Sequence, residues 1–158
     1  RSLIGLRTRM LTATQGTAIM HHNFLDYRPA KGVLAGRANG AYVSKNTAKV
    51  TAYSCDGLDG TLFVAPGEEV YEGQVVGQAP RDKDMTVNVT DPKPLTNMRA
   101  SGSDAKAAIK PPLRFSMEMA LEYIEDDELV EITPKAIRMR KVLLTESERK
   151  KYDRQNKG

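Results

Sequence analysis

The run Leu95-Thr96-Asn97-Met98-Arg99-Ala100-Ser101-Gly102-Ser103-Asp104 has neither a helical nor a strand-like apolar period. It sets one arginine among threonine, asparagine and serine, a donor set suited to phosphate and sugar oxygens. Upstream lies a second polar run, Arg81-Asp82-Lys83-Asp84-Met85-Thr86-Val87-Asn88, joined to the first through the turn Asp91-Pro92-Lys93-Pro94. Binding concentrates on exposed loops held by a rigid scaffold. Composition alone fits an ordinary solvated loop equally well.

Other chemistry is poorly supported. Cys55 has no sequence-level partner and reads as a small buried apolar side chain, not a nucleophile. His21 and His22 are adjacent, so in a strand they would point to opposite faces and could not easily share a metal. Glu68-Glu69 and Asp126-Asp127-Glu128 are acidic clusters, the second read as a helix end with solvated acids. Gly36-Arg37-Ala38-Asn39-Gly40 lacks the lysine and hydroxyl of a phosphate-binding loop and reads as a strand turn. Pro66 through Gly77 is similar to the hairpin wording of biotinyl and lipoyl carriers. No lysine falls between 50 and 82 to hold such a cofactor. No catalytic residue, metal or cofactor is expected in this chain.

The 158 residues suffice for one domain, or one domain and a fragment. With three Phe and no Trp, the core should be aliphatic and filled by methionine. No stretch nears the roughly 20 apolar residues that span a bilayer. The start is too short and too charged for a secretory signal. A single cysteine fits a reducing compartment. The missing initiator methionine fits a fragment. The net charge of +4 is unevenly spread: residues 1–49 carry +7 and 135–158 carry +6, while 115–134 carry −7. Basic ends suit a polyanion and an acidic face could turn away from it, although charge blocks are often only solvated surface.

Residues 2–15 read as a helix stopped by Gly16, and Ile19 to Tyr27 as a strand. One helix and one strand cannot bury themselves, so this part belongs to a different unit from the rest of the chain. Short segments then suggest strands at Ala41–Ser44, Lys49–Tyr53, Thr61–Val64 and Val70–Val76, separated by Gly and Pro turns. That spacing argues for a barrel-like or sandwich-like β unit. Ser116 should cap a helix with an apolar stripe at Met117, Ala120, Leu121 and Ile124. Leu129–Thr133 and Ala136–Lys141 read as a hairpin, and Thr145-Glu146-Ser147-Glu148 as a capping box opening a basic terminal helix.

The stretches Leu3-Ile4-Gly5, Phe63 through Gly77, Leu95 through Gly102 and Ala120-Leu121-Glu122 carry a family resemblance. It continues through Asp126 to Glu131, Thr133-Pro134, Ile137-Arg138 and Leu144-Thr145-Glu146. Over nearly its whole length the chain resembles the C-terminal part of the BipA/TypA family of ribosome-associated translational GTPases. The resemblance implies an α+β fold in two parts. Residues 1–29 would be the last helix and strand of a ferredoxin-like unit similar to elongation factor G domain V. Residues 30–158 would be a β-rich, barrel-like domain peculiar to the family. GTP and Mg would belong to an absent upstream domain, so this fragment would not itself be an enzyme. The family implies a cytoplasmic, monomeric protein that binds the ribosome at the elongation-factor site. It would contact large-subunit rRNA and the acceptor end of A-site tRNA, and support large-subunit assembly and translation in cold or stress. No membrane partner is implied.

On that reading Arg81, Lys83, Lys93 and Arg99 would meet phosphates. Asn88, Thr96, Asn97 and Ser101 would hydrogen-bond sugar, phosphate or base edges of an RNA end. Arg138, Arg140, Lys141, Lys150 and Lys151 would add a sequence-independent attraction. The alternative is a protein-interaction module using the acidic face 115–134.

Overall fold

The computed structural model describes residues 3–29, 32, 36–92 and 110–156. Strand β5 (Gln74–Gln78) is the axis of the main sheet. One edge of β5 pairs antiparallel with β1 (Ala41–Ser44), where a bulge shifts the register between Tyr42 and Val43. The other edge is shared. Gly77 and Gln78 pair with β3 (Thr61–Leu62), and Gln74 and Val75 pair with β8 (Ile137–Lys141). Outside these, β6 (Met85–Val87) lies parallel to β1, and β7 (Glu128–Ile132) forms a five-residue hairpin with β8. Strands β2 (Ala48–Lys49) and β4 (Glu69–Val70) make a separate antiparallel pair.

Both faces of the main sheet are buried at β1 and β5, which is why all four residues of β1 are inaccessible instead of alternating. Tyr42, Leu62, Val64 and Val76 point to one side and pack with Val50, Cys55, Val70 and Val89 beneath helix α2 (Ala52–Asp56) and the small β pair. Ala41, Val43, Phe63, Val75 and Met139 point to the other and pack against Ala120 of helix α3 (Met117–Tyr123). There Phe63, Phe115 and Tyr123 meet edge to face, with ring centroids 4.7 to 5.3 Å apart. Cys55 sits in the first core, and burial pushes its thiol pKa up, as suits an inert packing residue.

The expected α+β class holds. The sheet does not close into a barrel among the described residues: its path runs openly from β6 to β7. Lys49–Tyr53, expected as one strand, breaks after β2. The Thr51 hydroxyl accepts the Ser54 N–H at 3.2 Å and starts α2 instead. The apolar run Val70–Val76 serves two sheets, with a corner at Tyr71-Glu72-Gly73. Ser116 caps α3, and Thr145 with Glu148 forms the capping box of α4 (Glu146–Gln155), as the sequence requires. On α3, however, Met117 is half exposed and Ala120 alone is fully buried.

The first 29 residues differ most from expectation. Helix α1 spans Leu6–Ala13, has no side-chain cap and buries nothing. Ile19–Tyr27 forms no strand, and Ile19, Phe24, Leu25 and Tyr27 are 74 to 94% exposed. A strand exists only where a neighbour completes its hydrogen bonds, and none of the described residues lies alongside this segment as a strand.

Gly73 makes the corner possible. Its φ is +85°, and a Cβ there would lie 2.7 Å from the Leu144 Cα. Its N–H and C=O bond to Ser44 and Lys141, so it cannot move aside. Gly73→Ala should destabilise the fold by about 3 kcal/mol, combining left-handed strain of about 1–2 kcal/mol with a backbone clash. Urea unfolding should show a lower midpoint with an unchanged m value. The Tyr123 hydroxyl is buried without a hydrogen-bond partner among the described residues. Tyr123→Phe should therefore be neutral or stabilising, by about 1 kcal/mol, in the same assay.

Candidate nucleic-acid interface

The turn Arg81–Asp84 joins β5 to β6 and is held rigidly. The Gly40 N–H donates to the Arg81 carbonyl at 2.7 Å, and a Cβ on Gly40 would lie 2.2 Å from the Lys83 carbonyl carbon. Only glycine lets two backbones come so close. Asp84 closes the turn, accepting from the Ala41 N–H at 2.7 Å and from Arg37 Nη2 at 2.9 Å. Arg81 and Lys83 stand exposed on this support and form no ion pair among the described residues.

The chain then runs through β6 to a second anchor. Asn88 donates to the Asp91 carboxylate at 2.6 Å and accepts from the Thr90 N–H and hydroxyl at 3.0 and 2.8 Å. Val89 is fully buried, and the Asp91 carbonyl accepts from the Thr51 and Ser54 hydroxyls at 2.5 and 3.0 Å. Beyond residue 110, the Leu113 N–H donates to the Leu62 carbonyl at 2.8 Å, and Arg114 pairs with Glu68. Lys93, Thr96, Asn97, Arg99 and Ser101 lie outside the described residues. The structure thus fixes the chain on both sides of them.

The remaining candidates are not one patch. Arg138 and Arg140 lie on β8, opposite Glu131 and Leu129 of β7, and near enough to Tyr71 to act on its phenol. On α4, Lys151 is exposed, while Lys150 pairs with Glu146 one turn away at 2.5 Å, a surface contact worth little. Lys150 also lines a cavity of about 720 Å³ beneath α4, together with Asp84 and Thr86.

Lys141 is not on the surface. Its side chain is 2% exposed and its ammonium contacts Glu128 at 2.9 Å, Asp127 at 2.8 Å and Asp84. Strand alternation puts Lys141 on the inner face with Met139, whereas Arg138 and Arg140 point the other way. It cannot meet RNA phosphates without breaking this cluster. Asp126 and Asp127 are exposed just past the end of α3, as expected of solvated acids, but Glu128 begins β7 with its carboxylate wholly buried.

Arg37 completes the cluster and was not legible in the sequence. Its guanidinium grips Glu128 through two bonds of 2.5 and 2.7 Å, and stacks 4.8 Å from the Tyr123 ring centroid. Its backbone N–H donates to the Glu125 carboxylate at 2.6 Å. Burial pushes the Glu128 and Asp84 carboxyls up, but hydrogen bonds from Arg37 and Lys141 to Glu128, bonds from Lys141 and the Ala41 N–H to Asp84, and the charges of Lys141 and Arg37 outweigh it. Both are held below the ordinary carboxylate range. Burial pushes the Lys141 ammonium down, and its three carboxylate partners outweigh that and raise it. Arg149 was also missed as a structural residue. It donates to the Leu143 and Leu144 carbonyls at 3.0 and 2.5 Å, and to Thr86 Oγ1 at 3.3 Å, tying α4 to β6.

Among the described residues no cluster of His, Cys, Asp or Glu could hold a metal, and no helix is long and apolar enough to cross a membrane. The fold and its exposed basic turn define an α+β module that displays cations and anchored loops on a doubly covered sheet. Residues 39–146 match the TypA/BipA C-terminal domain, and the chain belongs to that family. It is 45% identical over 157 residues to the large ribosomal subunit assembly factor BipA of Escherichia coli K12, and 46% identical over 157 residues to that of Haemophilus influenzae. It is 42% identical over 160 residues to that of Bacillus subtilis. These matches cover 98 to 99% of this chain and 26% of each relative, so the chain spans about a quarter of their length.

Glu128→Gln leaves Arg37 and Lys141 facing a neutral amide in a buried site, and should cost about 3–5 kcal/mol. Depressed carboxyl pKa values stabilise the fold above the unfolded-state values, near pH 4, and that stabilisation is lost as pH falls through the lower folded values. Wild type should hold its Tm from neutral pH to about pH 5 and lose it steeply below. Glu128→Gln should start lower and show a shallower acid limb. Differential scanning calorimetry at each pH reads both.

Proposed function

We propose that this chain is the ribosome-docking C-terminal region of a translational GTPase, with no catalysis of its own. What carries the reading is the match to large-subunit assembly factors along 98% of the chain, joined to a surface built to hold exposed cations still. Arg81 and Lys83 ride a turn locked by Gly40 and Asp84, so little side-chain support must be ordered on binding. Phosphates of large-subunit rRNA would meet this turn. The segment anchored at Asp91 and Leu113 would bring Arg99, Thr96 and Asn97 to the acceptor end of A-site tRNA. Arg138, Arg140, Lys150 and Lys151 would add longer-range attraction, without Lys141.

Residues 1–29 would complete an upstream unit resembling elongation factor G domain V. Their exposed Ile19, Phe24, Leu25 and Tyr27, and their position outside the matched domain, support that partition. GTP and Mg would bind further upstream, and the whole protein would act as a cytoplasmic monomer at the elongation-factor site. The acidic face 115–134 is a weaker basis for function. Glu128 is buried, Glu131 accepts from the Tyr71 hydroxyl at 2.9 Å, and Glu122 pairs with Arg9 at 2.9 Å.

Co-sedimentation with purified ribosomes across a salt series tests the reading. Binding should weaken as salt rises, and the double variant Arg81→Ala/Arg99→Ala should lose about tenfold affinity, with a salt slope reduced by about 1–2. Unchanged pelleting by that variant, or binding insensitive to RNase, would overturn it.

A further inference from the structure

The main sheet is split along one edge of β5. Since β5 gives part of one edge to β3 and part to β8, those two strands diverge. A cleft of about 690 Å³ opens between β8 and the Phe63–Val64 segment that follows β3. Its floor is apolar: Phe63, Val75 and Met139 are 7% exposed or less, and Phe115 meets Phe63 edge-on at 4.7 Å. Its rim carries Arg114, Lys135 and Arg138 against Glu68 and Glu69. Glu68 is already engaged by Arg114, and its carboxyl is held below its ordinary range by that bond and, further off, by the Arg138 charge. Among the described residues Lys135 and Arg138 form no ion pair, and neither does Glu69, so the rim offers two cations against one carboxylate. The cavity beneath α4 is the opposite case. Five carboxylates line it, among them Asp84 and Asp127, and its Lys141 is engaged by three of its neighbours.

We propose that this cleft receives one unstacked nucleotide of single-stranded RNA. The base would lie on the apolar floor at Phe115 and Ile137, and its phosphate would meet Lys135 and Arg138. An apolar floor under a cationic rim matches the two halves of a nucleotide, as on known single-strand platforms. An acidic peptide would use the rim and leave the floor empty. The proposal rests on the ribosome-docking reading and assigns it a subsite away from the Arg81 turn.

The test uses the 158-residue chain with fluorescein-labelled hexauridylate as probe, read by anisotropy, and unlabelled hexauridylate, read by aromatic and methyl NMR shifts. Hexauridylate should shift the Phe115 ring and the Ile137 and Met139 methyls of wild type, a readout that needs no variant. Lys135→Gln/Arg138→Gln should weaken binding at least fivefold while leaving the circular dichroism unchanged. An abasic ribose-phosphate hexamer should bind about tenfold more weakly, since stacking of one base is worth about that factor or more. Three results would overturn the proposal: no shift at the floor residues, equal binding of the abasic hexamer, or equal occupancy by hexaglutamate. A chain that pellets with ribosomes in a salt-sensitive way but shows no cleft shifts overturns the cleft alone. A chain that binds neither ribosomes nor hexauridylate overturns the docking reading as well.

Discussion

The buried carboxylate of Glu128 is the constraint on which the arrangement of this domain rests. Bringing a charge out of water into a protein interior costs several kcal/mol even after relaxation, unless partners surround it. Here Arg37 and Lys141 both reach it, and Asp84 balances their second charge. The four residues come from the strand-leading segment at 37, the turn before β6, the start of β7 and the end of β8. None can leave without stranding another, so the cluster sets how these segments meet. An apolar core of similar volume could be as stable, but it would not demand one pairing of segments so strictly.

That demand bears on the exposed cations. Asp84 is at once a member of the cluster and the residue that closes the Arg81–Asp84 turn on the Ala41 N–H. The positions of Arg81 and Lys83 are therefore inherited from a charge network that they do not join. Asn88 and Asp91 are held in the same way, through Thr51 and Ser54 at the start of α2. Surface groups meant to meet a large polyanion gain from such support, because affinity lost to ordering flexible side chains and loops is avoided.

The divided edge of β5 has a further consequence. Three strands compete for one short central strand, and the bulge opposite Tyr42 and Val43 adjusts its twist. The sheet is covered on both faces at β1 and β5, and one concavity opens beside β5, between the Phe63–Val64 segment and β8. The apolar residues at its floor belong to the same core that α3 covers, which makes the cleft rigid.

Much was legible along the chain because it is encoded locally. The Ser116 and Thr145 caps and the β7–β8 hairpin about Pro134-Lys135 each depend on a few neighbouring residues, and the α+β class follows from the family resemblance. Where a residue's fate depends on distant partners, the sequence was silent or misleading. Lys49–Tyr53 has strand-forming residues, yet Thr51 turns it into a helix start docked on Asp91. Ile19–Tyr27 has the pattern of a strand, and none of the described residues pairs with it as one. Lys141 looked like one more basic residue in a cationic tail, and Arg37 like part of a glycine turn. Strand alternation and long-range charge pairing turned both inward, beside an acid run that had seemed solvated. Short-range spacing determines the locally capped elements and the β7–β8 hairpin. Which charges face water and which lock the core is decided in the tertiary structure: Arg37 meets Glu125 and Glu128 at separations of 88 and 91 residues, and Lys141 meets Asp127 at 14, across the hairpin.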